Sequence, residues 1–103
     1  PLRIEILAYP QVQLLDVAGP LQVFASTNDH ARMAGRPRPY EAVVVAESPD
    51  VMTSAGLGLA AQALPPPDAL LDTLIVAGGF GVYPACENSG LVRWIAEREK
   101  VAR

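Results

Sequence analysis

Asp72-Thr-Leu-Ile-Val-Ala-Gly-Gly-Phe-Gly-Val82 is the stretch on which the reading of this chain turns. Leu74, Ile75, Val76 and Ala77 are apolar without alternation, the pattern of a parallel strand covered on both faces rather than one. Gly78 and Gly79 follow at once. Glycine permits backbone conformations and close approaches that a side chain blocks, and open α/β sheets place ligands at the carboxyl ends of their strands. A pocket edge is therefore expected at Gly78, Gly79 and the following Phe80.

Arg3 to Ala8 reads as a first, central strand before the turn at Tyr9-Pro10. After the apolar connection Val12 to Val17, Gly19-Pro20 marks a helix start, because proline's fixed φ and missing N–H suit the first turn. Leu21, Val23, Phe24 and Met33 are expected to line its buried face, and Gly35 to stop it. Val43-Val-Val-Ala46 is the core of a second continuous strand, spanning Tyr40 to Glu47. Val51-Met-Thr53 and Leu57 to Ala61 read as a small β excursion. Pro65-Pro-Pro67 forces an extended connector.

Beyond the glycine pair, Asn88 or Ser89 can cap a last helix with Leu91, Val92, Trp94 and Ile95 apolar and Arg93, Glu97 and Lys100 in solvent. The order strand, helix, strand, β insert, strand, helix is that of an α/β protein, a three-layer doubly wound sandwich with a mainly parallel, flavodoxin-like sheet. Three core strands leave such a sheet with uncovered edges, so either the chain is only the amino-terminal part of a full domain, which is the expectation, or a partner chain covers the exposed surface.

Composition narrows the function. The 103 residues are 50% hydrophobic but only 6% aromatic, which fits one small core packed from Ala, Val and Leu. The formal charge is −3 with no basic stripe, so this segment is not expected to bind nucleic acid. No apolar run approaches the roughly 18 residues of a membrane span, and Glu5 interrupts any signal-peptide layout, so a cytoplasmic protein is expected. Cys86 and the distant His30 are too few for a metal site, and no cofactor is expected. Gly79-Phe-Gly81 lacks the third glycine of a dinucleotide fingerprint.

Among single side chains, Asp16 is the strongest functional candidate. A carboxylate between Leu15 and Val17 can do acid/base work or bind a ligand, and it can equally cap the helix or bond the backbone near Gly19. The N–H groups of Gly78 and Gly79 can bind a carboxylate or stabilise an oxyanion, or the pair can simply turn the chain. Cys86 reads as a semi-buried filler in a loop, with no neighbouring cation to sustain a thiolate. His30, Arg36, Arg38 and the charges from Arg93 to Arg103 read as solvated faces.

Leu15-Asp-Val-Ala-Gly-Pro-Leu-Gln-Val-Phe24, Thr53-Ser-Ala-Gly-Leu57 and Asp72 to Gly79, in that order and spacing, resemble the ThiJ/PfpI superfamily, which shares its fold with class I glutamine amidotransferases. Within it the chain most resembles the amino-terminal sensor domain of AraC-family transcription regulators. The resemblance implies a small-molecule effector bound by Asp16, Gly78, Gly79 and Phe80, a homodimer, and DNA contact only through a helix-turn-helix region outside this chain. Regulators of this kind tend to respond to amino-acid-like or quaternary-amine metabolites. The alternative it implies is a cysteine-dependent hydrolase or isocyanide-hydratase-like enzyme, with Asp16 handling protons and the nucleophile lying beyond Arg103, not at Cys86. A third reading is a non-catalytic remnant that only dimerises.

Overall fold

The computed structural model describes residues 1–103. β1 (Leu2–Leu7), β2 (Tyr40–Ala46), the two-residue β5 (Gln62–Ala63) and β6 (Thr73–Val76) form a parallel sheet in the order β5-β2-β1-β6. β3 (Asp50–Met52) and β4 (Gly58–Ala60) pair antiparallel as a separate ribbon, the small β excursion expected from the sequence. β1 is central: Ile4 to Leu7 are all buried, because each has a strand on either side and helices above and below.

Alternation along the strands divides the core into two layers. Ile6, Val44 and Ile75 face one side, where Val17 and Leu21 of α1 (Leu14–Met33) pack on them. Leu7, Val43, Val45 and Leu74 face the other, against Leu91, Trp94 and Ile95 of α3 (Ser89–Val101). The molecule is thus the α/β sandwich read from the sequence. The short helix α2 (Val82–Glu87), which buries none of its residues, links β6 to α3. Asn88 caps α3 by accepting the Leu91 N–H at 3.1 Å, as expected.

Four expectations need correction. α1 begins at Leu14, not at Pro20, which sits inside the helix. The first turn is fixed from outside, by the Gln13 N–H on the Gly78 carbonyl, so the helix does not need proline as its opening residue. Its buried face runs through Val17, Leu21, Phe24, Asn28 and Ala31 at helical spacing, which leaves Val23 and Met33 exposed. β6 is an edge strand rather than a fully covered one, and Val76 is exposed. Arg98, expected in solvent, is wholly buried.

Candidate ligand site at the carboxyl edge of the sheet

The chain leaves β1 toward α1 on one face and leaves β6 toward α2 and α3 on the other. The crevice between β1 and β6 is consequently the topological switch point, where doubly wound sheets bind ligands.

Gly78 is held on both sides of its peptide. Its N–H donates to Asp16 Oδ2 at 3.0 Å, and its carbonyl accepts the Gln13 N–H at 2.9 Å. A Cβ at Gly78 would lie 2.7 Å from Asp16 Oδ2, so the close approach requires glycine. Gly79 has φ +139°, and a Cβ there would stand 2.5 Å from the Gln13 nitrogen. Asp16 and the glycine turn therefore form one unit across the switch point, a charge-assisted bond between the loops that leave β1 and β6. The N–H groups of Gly79 and Phe80 have no acceptor in the protein.

Beside this unit lies a cavity of about 370 Å³, within the range for small-molecule sites. Residues that leave β1 (Tyr9, Pro10, Gln11), β2 (Glu47) and β6 (Phe80, Gly81) form its walls with the start of α3. Gln11 adopts φ +66°, a left-handed conformation that costs a side-chain-bearing residue about 1–2 kcal/mol. It is held there by its N–H on the Met52 carbonyl and its carbonyl on the Gly81 N–H. Glu47 is the one carboxylate of the lining and accepts from Asn88 Nδ2 at 2.8 Å; no Lys or Arg lines the cavity. Phe80 exposes 83% of its surface at the rim.

Tyr9 is buried, and its hydroxyl donates to the Ala77 carbonyl at 2.6 Å. Burial raises the pKa of this phenol above its ordinary value, and the charges of Asp16 and Cys86 push the same way. Tyr9 therefore stays a neutral donor that locks the last residue before the glycine pair.

The four candidate binding residues thus divide. Asp16 meets Gly78 directly, and Gly79 turns against Gln13, while Phe80 alone of the four lines the adjoining cavity. Sequence reading passed over Tyr9, Gln11 and Glu47, although the carboxyl-edge rule picks out the residues immediately after β1 and β2. Cys86 lies on α2 rather than in a loop, and it is exposed rather than semi-buried, because α2 has nothing packed on its outer side.

No protein-family model and no curated protein sequence matches this chain. Its backbone is nevertheless similar to solved structures. An AraC family transcriptional regulator from Pseudomonas putida superposes with a TM-score of 0.64 at 18% identity, over 88% of this chain and 61% of that one. DJ-1 from Toxoplasma gondii, in its oxidized form, gives 0.66 at 16% identity, over 93% and 49%. The DJ-1 superfamily protein Atu0886 from Agrobacterium tumefaciens gives 0.59 at 22% identity, over 99% and 52%. The chain therefore spans about half to three-fifths of these neighbours. Strand order, the glycine turn and these superpositions agree: the chain has the DJ-1/ThiJ/PfpI fold.

Proposed function

We propose that this chain is the amino-terminal, non-catalytic portion of a small-molecule-sensing domain in a cytoplasmic AraC-family regulator. In this reading the regulator is a homodimer whose DNA contacts lie outside the chain. The observation that carries the proposal is the carboxyl-edge cavity with a single carboxylate, Glu47, aromatic groups at Tyr9 and Phe80, and no cation in its lining. That lining suits a small effector bearing an ammonium group, which a carboxylate pairs and an aromatic face attracts. The similarity to the Pseudomonas putida regulator supports the same reading at the level of fold.

The test is calorimetric titration of the intact regulator with a panel of betaines and free amino acids, alongside promoter occupancy. A sensor predicts saturable binding that changes occupancy and weakens about tenfold or more in Glu47→Gln, the loss of one charged hydrogen-bonding group. Binding by none of the panel, or binding indifferent to Glu47 and Phe80, would sink it.

A second reading rests on the unpaired N–H groups of Gly79 and Phe80, which suit an oxyanion. In it the protein is a cysteine-dependent hydrolase or isocyanide-hydratase-like enzyme, with a nucleophile supplied from outside these residues. Turnover of an isocyanide or an ester without any change in promoter occupancy would favour it.

A further inference from the structure

The opposite edge of the sheet carries a second set of polar groups, independent of the sensing proposal. Where α1 ends and the chain returns to β2, Asn28, Asp29, Arg32, Arg36 and Arg38 alone line a cleft of about 260 Å³, with no hydrophobic residue among them. Three arginines and one aspartate contribute to its lining, a local charge of +2 on a chain whose formal charge is −3. Asp29 is already engaged, 3.3 Å from Arg32. Arg36 and Arg38 form no ion pair with the protein.

The backbone beneath these side chains is fixed. Gly35, at φ +70°, ends α1 in a Schellman arrangement, with the Gly35 N–H on the Arg32 carbonyl at 3.0 Å and the Arg36 N–H on the Ala31 carbonyl at 2.8 Å. Pro37 and Pro39 stiffen the return, and the Leu2 N–H bonds the Pro39 carbonyl at 2.9 Å. Asn28 clamps Tyr40 from the helix, donating to its carbonyl at 2.9 Å and accepting its N–H at 3.1 Å. Arg36 and Arg38 are exposed, so their guanidinium donors are free to close on an anion held over this fixed backbone. Complementing the helix dipole would account for one cation at the end of α1, but Arg36 and Arg38 lie beyond its last turn.

We propose that Arg32, Arg36 and Arg38 form a binding site for a small multiply charged oxyanion of the phosphate class, either a free polyphosphate or the diphosphate of a nucleotide. The cleft is smaller than the roughly 300–1,000 Å³ of drug-sized sites, which fits the charged group alone. Arginine's planar fork pairs two oxygens at once, so charge and geometry both select a phosphate over a halide.

The experiment is amide-resolved NMR titration of the intact protein at low ionic strength with inorganic pyrophosphate, and in a second arm with a nucleoside diphosphate, against sodium chloride of matched ionic strength. Saturable shifts confined to the backbone around Arg32 to Tyr40 are expected. Equal affinity in the two arms assigns the site to the free anion, and tighter binding of the nucleotide assigns it to the ester. Arg36→Gln/Arg38→Gln should weaken binding at least tenfold, and Arg36→Lys/Arg38→Lys should fall between that variant and the parent. Diffuse shifts that merely follow ionic strength, or a lysine variant that binds as well as the parent, overturn the proposal.

Discussion

Glu5 and Arg98, 93 residues apart, meet in the core with Arg98 Nη2 2.7 Å from Glu5 Oε1, both side chains at most 1% exposed. The second oxygen of Glu5 accepts from Arg3 Nε at 3.1 Å. Arg98 Nη1 reaches the carbonyls of Pro66, Pro67 and Ala69 at 3.4, 3.1 and 2.5 Å, and only its Nε is left without a partner. One guanidinium therefore ties α3, the proline connector and the central strand together.

Breaking this pair should cost far more than a surface ion pair. Arg98→Met leaves a carboxylate buried beside the sheet and should destabilise the protein by about 3–5 kcal/mol, read from urea denaturation. Adding Glu5→Leu should recover part of the loss, since no charge is then stranded, although the connector carbonyls stay unpaired. Strict additivity of the two substitutions would show that the pair is not coupled.

Asp16→Asn retains an oxygen able to accept the Gly78 N–H and should cost less than about 1 kcal/mol, whereas Asp16→Ala leaves that donor unpaired and should cost about 1–3 kcal/mol. If the chain senses an effector as proposed, Asp16→Asn should also weaken the response, through the glycine turn it holds beside the cavity. Gly79→Val should damage folding itself, because φ +139° and the contact with Gln13 both exclude a β-branched side chain. Chemical denaturation and effector titration on the same variants separate the two effects.

Alkaline stability should depend on Tyr9. Its pKa is raised in the folded protein, first by burial, so above the ordinary value of 10.0 the unfolded chain releases a proton that the folded one keeps. Its contribution is complete below that pH and is lost as pH climbs from there through the raised value. Tyr9→Phe should flatten that alkaline decline and, by leaving the Ala77 carbonyl without its donor, cost about 1 kcal/mol at neutral pH. Melting temperatures across pH 7 to 11 check both.

Cys86→Ser should leave stability within about 0.5 kcal/mol of the parent and effector binding unchanged, since the thiol is exposed on α2. Iodoacetamide should modify it in the folded state without loss of binding. A variant that folds but no longer responds to effector would place Cys86 in the functional machinery.

The strands β1 and β2, the stop at Gly35 and the cap at Asn88 were legible because each rests on local chemistry: apolar runs, a left-handed glycine, a side-chain oxygen over a helix start. The approach of Asp16 to the glycine pair followed from topology alone, both loops leaving one edge of a parallel sheet. Other features depend on partners that the local sequence does not show. Pro20 announces a helix start by its own geometry, but a distant carbonyl at Gly78 sets the true one. Val76 resembles Leu74 and Ile75 beside it, and only strand order reveals that it stands at an edge. Arg98 reads as a solvated charge until its position on the stripe Leu91, Trp94, Arg98 is matched to Glu5, the carboxylate in the buried run of β1. Glu47 joins the cavity through a loop that carries no motif.

Trp94, the single tryptophan, donates its indole N–H to the Pro65 carbonyl at 2.9 Å and lies with its ring centroid 5.6 Å from the Arg98 guanidinium. Its emission is therefore a built-in optical gauge of one event, the seating of the proline connector on α3. Loosening the connector would admit water to the indole and shift the spectrum to the red while the sheet is still intact, so the order in which the two layers come apart can be followed without attaching a dye.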